Sequence, residues 1–188
     1  PTTVYVSPSN QFPTGSIMPA GRRYALLDWA YRNKSIIIED DYNSELRYDS
    51  RPVPSLQGLD TGEQVVYLGS FSSTLFPSAK ISYMVLPKPL LQLFRESLSG
   101  YTQTCSKAEQ LTLALYMSSG YYQTNLRRQR KRNAQKIHLA TAALNGYGGD
   151  TVQILNNSSG LHMLLKVVNN GKTTEEICAA AAEFVVDL

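Results

Sequence analysis

The 188-residue chain is 43% hydrophobic with a formal net charge of +3, enough apolar residues for one ordinary domain or two small ones and too slight a positive balance to argue for a nucleic-acid partner. Its two cysteines, Cys105 and Cys178, stand far apart with no CxxC and no histidine at ligand spacing, so neither a metal site nor a disulfide framework is expected. No apolar run reaches the roughly 18 residues of a membrane span, and the start PTTVYVSPSN has no basic stretch followed by an apolar one, so no membrane association and a cytoplasmic setting are expected.

Val4 to Val6 reads as a strand almost at the first residue, which suggests a piece of a longer chain cut inside a domain. Pro8, Pro13, Gly15 and Pro19 then punctuate a long loop before a helix from about Ala20 to Arg32. In that helix Tyr24, Leu27 and Ala30, with Leu26 and Trp29 beside them, recur at the helical period and suit packing on a sheet. Ile36 to Ile38 follows as a β-branched run without alternation, the pattern of a strand buried on both faces, and it ends in Glu39, Asp40, Asp41 and Tyr42. Leu46 to Gly62, with two prolines and two glycines, reads as loop with one helical turn.

Val65 to Pro87 is strand, polar loop, strand: an apolar run breaks at Gly69 and resumes at Ile81. The βαβ order implies a mainly parallel sheet with helices on its faces, and three carboxyl-end loops then converge on one edge. Ligands of such sheets bind just beyond the carboxyl ends, so Ser70, Ser72, Ser73 and Thr74 stand where a small anion would sit. After Pro87 the composition turns helical over Leu90 to Leu98, Lys107 to Ser118 and Tyr121 to Leu144. Two strands, Val152 to Leu155 and Leu161 to Val168, and a helix from Thr173 to Val186 capped by Thr174 complete an α+β second part, with the boundary near Pro87 to Gly100.

A carboxylate of the acidic triplet could pair with a cation held at the strand end, such as a protonated ring nitrogen, while Tyr42 donates to a ring hydroxyl. The alternative is that these acids cap turns or face water. Arg127, Arg128, Arg130, Lys131 and Arg132 form a dense basic run that reads as a solvated or interdomain helix face, since no helix-turn-helix pattern accompanies it. His138 and His162 are isolated and read as structural.

SPSNQFPTGSIMP, IIIEDDYNSELRYD, VVYLGSFSSTLFPSAKISYMVLP and GYYQTNLRRQRKR occur in the order and spacing of MocR-type bacterial regulators of the GntR family, and the resemblance runs from Val4 to about Val168. Such proteins join a winged helix-turn-helix to a domain resembling a fold-type I, pyridoxal-phosphate aminotransferase. The resemblance implies an α/β fold: residues 1–90 as the later part of the three-layer, mainly parallel large domain, and residues 91–188 as linking helices and a truncated α+β small domain. It also implies Asp40 on the pyridine nitrogen, Tyr42 on the ring hydroxyl, and Ser70 and Ser72 near the phosphate. Lys80 stands where the family usually has a phosphate-binding arginine, and keeps the charge without the bidentate fork.

Ser73 departs from the family, whose loop reads F-S-K and whose lysine bonds covalently to the cofactor; serine has no amine to do so. Asn10, where the family usually has histidine, and Ser82, in place of a common glycine, depart further. No catalytic residue and no transamination are expected. Two parts of the family's site, a phosphate-cradling loop and a substrate-gripping arginine, would fall before Pro1 and after Leu188. Binding of pyridoxal phosphate is therefore expected to be weak or absent. The resemblance implies a homodimer, an amine or amino-acid effector, and DNA contact only through a module outside these residues. A fragment of a true pyridoxal-phosphate aminotransferase is the alternative.

Overall fold

A computed structural model describes residues 2–47, 53–76, 79–147, 149–156, 161–168 and 171–182. Strands β1 (Thr3–Val6), β2 (Ile36–Asp40), β3 (Val65–Ser70) and β4 (Ser82–Val85) form one sheet in that order, the first three parallel and β4 antiparallel to β3. Helix α1 (Ala20–Asn33) connects β1 to β2, and a short α2 (Leu56–Leu59) precedes β3. The three parallel strands therefore end on the same edge, as the βαβ reading requires.

Ala30 of α1, Ile37 of β2, Leu56 of α2 and Val65 of β3 make the main core, with Val4, Val6, Leu26, Leu27 and Trp29 packed against it. The β2 run differs from the sequence expectation: Ile37 and Glu39 are buried while Ile36 and Ile38 are half-buried. Helices α1 and α2 pack on the Ile37 side of the strand, so its two faces are unequal. Tyr24 is likewise exposed, and the α1 residue buried together with Ala30 is Arg23. Its guanidinium donates to the carbonyls of Met18, Pro54 and Pro8 at 3.1, 3.0 and 2.9 Å, which satisfies it among loops far apart in the sequence.

Three helices follow: α3 (Lys88–Ser97), α4 (Lys107–Ser118) and the long α5 (Tyr121–Tyr147). Ser106 caps α4, its Oγ accepting from the Glu109 amide at 3.2 Å and donating to the Glu109 carboxylate at 2.9 Å. A second core joins Tyr122 and Leu126 of α5 to Leu46, with Phe71, Leu75 and Tyr116 around it. Strands β5 (Val152–Asn156) and β6 (Leu164–Val167) pair antiparallel, and α6 (Thr174–Ala182) ends the described chain. The α6 cap is Thr173, not Thr174: its Oγ1 accepts from the Glu176 amide, and its own amide donates to the Glu176 carboxylate. His162 lies ahead of β6, not within it, edge-on to Phe12 at 5.5 Å. Among the described residues no helix is long and apolar enough to cross a membrane, and no cluster of three or more acidic, histidine or cysteine side chains could hold a metal.

Candidate functional site

The end of β2 splits the acidic triplet into three different jobs. Glu39 lies on the helix side with no exposed surface, and its two oxygens accept from the Leu56 and Gln57 amides at 2.8 and 2.9 Å. Burial raises the Glu39 carboxyl above its usual range, against the opposing pull of those amides and of Arg23 at 3.7 Å. Asp41 accepts from the Tyr67 hydroxyl at 2.6 Å and the Ser44 hydroxyl at 2.9 Å, and burial together with this bond raises the Tyr67 phenol. Asp40 alone meets the more open face, where the Tyr5 hydroxyl donates to its Oδ2 and the Tyr5 phenol is raised by that bond.

Asp40 shares a cleft of about 410 Å³ with Leu68, Gly69, Ser70, Ser82 and Met84. Strand register explains the set: Asp40 is level with Leu68 on β3, and Leu68 and Ser70 pair with Met84 and Ser82 on β4. The Tyr83 ring lies over Gly69, so a Cβ there would come within 2.3 Å of the ring and displace it. The Ser70 hydroxyl is the hub of the loop. It donates to Ser72 Oγ at 3.0 Å and accepts from the Ser72 amide at 3.2 Å and the Ser82 hydroxyl at 3.3 Å.

Tyr42, Ser72, Ser73 and Lys80 are not among the residues lining this cleft. The Tyr42 hydroxyl is buried with no hydrogen-bond partner among the described residues, and burial raises its phenol, Asp40 adding to the effect. Ser73 is half-buried in the turn and Lys80 is exposed. The β3–β4 pairing continues one step further, Phe71 N donating to the Ile81 carbonyl, before the chain turns at 72–74.

Helix α5 fixes this loop through Thr74, which is 1% exposed. Asn125 Nδ2 and Gln129 Nε2 both donate to the Thr74 carbonyl, at 3.1 and 3.0 Å, and the Thr74 and Tyr122 hydroxyls lie 3.2 Å apart. Replacing Asn125 and Gln129 together by alanine removes both donors to a buried carbonyl. A loss of about 1–3 kcal/mol in chemical denaturation is expected; a change below a few tenths would mean that the loop does not depend on this clamp.

No family model matches the chain. It is 48% identical over 167 residues to the uncharacterized HTH-type transcriptional regulator YdeL of Bacillus subtilis (strain 168), covering 89% of this chain and 36% of YdeL. It is 37% identical over 166 residues to the probable rhizopine catabolism regulatory protein MocR of Rhizobium meliloti, covering 88% of this chain and 34% of that protein. The chain belongs to the MocR-type family. It spans about a third of the length of these MocR-type relatives. Its fold is that of the fold-type I aminotransferases. The α-aminoadipate aminotransferase LysN of Thermus thermophilus, solved with N-(5'-phosphopyridoxyl)-L-leucine, superposes with a TM-score of 0.78 at 27% identity, over 95% of this chain and 46% of LysN.

Of the residues expected from sequence, Asp40 and Ser70 come together in this MocR-type cleft, and Ser72 joins them through Ser70. Tyr5 was not among those expected. Its signal lay in β1, where VYV sets Tyr5 apart from the inward Val4 and Val6, level with Ile38 and next to Asp40.

Proposed function

We propose that the chain is the ligand-sensing, aminotransferase-like part of a bacterial transcription regulator, with residues 1–90 from its large domain and residues 91–188 carrying the linking helices and small domain. The observation that carries this reading is the cleft at the strand ends, where Asp40 and Ser70 line one cavity, in a chain whose relatives bear the names of HTH-type regulators. DNA is contacted by the helix-turn-helix those names describe, and the basic face of α5 serves packing and solubility. The regulator works in the cytoplasm as a homodimer, and its effector is a small amine or amino acid.

The residues present fit pyridoxal phosphate as a noncovalent ligand. Asp40 supplies a carboxylate for the ring nitrogen, Tyr42 a buried phenol for the ring hydroxyl, and Ser70 and Ser72 a hydroxyl cradle for the phosphate, with Lys80 as a neighbouring positive charge. The bound group would supply an electron-withdrawing pyridinium, which a carboxylate partner keeps protonated. Ser73 cannot anchor it, so the chain binds and senses without catalysing. The aminotransferase alternative meets the same obstacle at Ser73.

Titration with pyridoxal phosphate, followed by visible absorption, is expected to show at most weak binding that dialysis reverses and that leaves no adduct after borohydride. Asp40→Ala should weaken it about tenfold or more, the size of a lost charged hydrogen bond. A borohydride-stable adduct on this chain, or equal binding by Asp40→Ala, would overturn the proposal.

A further inference from the structure

Asp41, the next residue after the cleft carboxylate, belongs to a different cavity. This second hollow, of about 340 Å³, is lined by Asp41 with Ser9, Ser44, Arg47, Ser55 and Arg130. It has the liquid volume of roughly ten waters, far more than a single bridging water needs.

Its hydrogen-bonding groups are unevenly used. Asp41 is 7% exposed, and its Oδ2 is fully engaged by the Tyr67 and Ser44 hydroxyls, while its Oδ1 accepts nothing among the described residues. Arg47 donates through Nη2 to the Ser9 carbonyl at 3.0 Å, yet its buried Nε has no partner among the described residues. Ser55 Oγ accepts from the Gly58 amide at 3.0 Å and keeps its own proton to give. Arg130, held by a bond from its Nε to the Glu45 carbonyl, brings a second guanidinium.

The lining brings two guanidiniums and the Asp41 carboxylate together, with the Glu45 carboxylate close to Arg130 and Asp41; guanidinium forks suit oxyanions. The orphan Asp41 oxygen adds a second requirement, since a buried carboxylate oxygen left without a donor is costly. We propose that this cavity binds a small oxyanion that itself carries a hydrogen-bond donor, the chemistry shared by hydrogen phosphate and a short amino acid. The anionic end lies against Arg47 and Arg130, and the donor meets Asp41 Oδ1. An oxyanion without a donor satisfies the arginines but sets a lone pair against that oxygen. The cavity therefore selects between anions of equal size.

Calorimetric titration of the purified protein with phosphate, glycine, sulfate and acetate at constant ionic strength tests this. Saturable binding of phosphate or of glycine is expected, with sulfate and acetate at least tenfold weaker, and which of the first two binds identifies the source. Arg130→Gln should weaken the preferred ligand tenfold or more. Asp41→Asn offers an amide N–H in place of the orphan oxygen and should erase the preference, so that sulfate binds as tightly as phosphate. If Arg130→Gln fails to fold, the Asp41→Asn preference decides. The proposal is overturned if no anion saturates, if all four bind alike, if Asp41→Asn keeps the parent's preference, or if binding survives Arg130→Gln and is lost in Ser70→Ala, which would move it to the Asp40 cleft.

Discussion

Glu39→Ala is expected to destabilise the protein by about 3–5 kcal/mol, the range found when one partner of a buried charge pair is removed. Two losses combine. The Leu56 and Gln57 amides lose their acceptors at 2.8 and 2.9 Å, and Arg23, with no exposed surface, loses the carboxylate 3.7 Å from its guanidinium. Arg23 keeps its three carbonyl partners, so its hydrogen bonds survive and its charge does not stay balanced. Urea unfolding should show a lower midpoint with an unchanged slope. The double variant Arg23→Met with Glu39→Leu should cost less than the sum of the single changes, because it leaves no unpaired buried charge. A single-variant loss under about 1 kcal/mol would show that the pair is not the structural pin described. A pH dependence follows as well. Burial raises the folded-state Glu39 carboxyl, so the native protein holds this proton more tightly than the unfolded chain. The group's contribution therefore falls as pH rises from the ordinary carboxylate range through the raised value, and Glu39→Gln should remove that slope.

The same triplet shows what the sequence made legible. Three adjacent acids at the end of a β-branched run mark a strand end, and the apolar run that breaks at Gly69 marks another; that Asp40 and Ser70 share one cleft follows from those two ends. The division of labour was not, because it depends on which helices cover which face. Glu39 is absorbed by the first turn of α2, a four-residue helix with no periodicity to announce it. Arg23 was opaque for a related reason: a charged residue in a helix reads as surface, and its acceptors come from two loops, Pro8 and Met18 in one and Pro54 in the other. Helices α3, α4 and α5 were readable from composition, to within about a turn at their ends. The clamp on Thr74 was not, since Asn125 and Gln129 look like ordinary polar positions of a charged helix until the loop lies beneath them.

That clamp bears on the second large effect. Ser73→Lys is expected to convert reversible binding of pyridoxal phosphate into covalent attachment: an adduct that survives dialysis, becomes permanent on borohydride reduction, and maps to position 73 by mass spectrometry. The backbone at this position is not free to choose. Thr74, its neighbour, has its carbonyl held by two α5 side chains and its hydroxyl against Tyr122, while on the other side the Ser72 amide is tied to Ser70. A lysine introduced there changes the reach of the side chain while the turn stays pinned at both ends. The carboxylate at Asp40 should then matter twice, for affinity and for the cofactor's electronics, so adding Asp40→Ala to Ser73→Lys should weaken attachment and shift its absorption. Releasing the turn by also replacing Asn125 and Gln129 with alanine should slow attachment with Asp40 intact, separating loop position from ring binding. An adduct that maps to Lys80, or none at all with a folded Ser73→Lys protein, would mean that residue 73 does not face the cofactor and that the F-S-S turn has been matched to the wrong position.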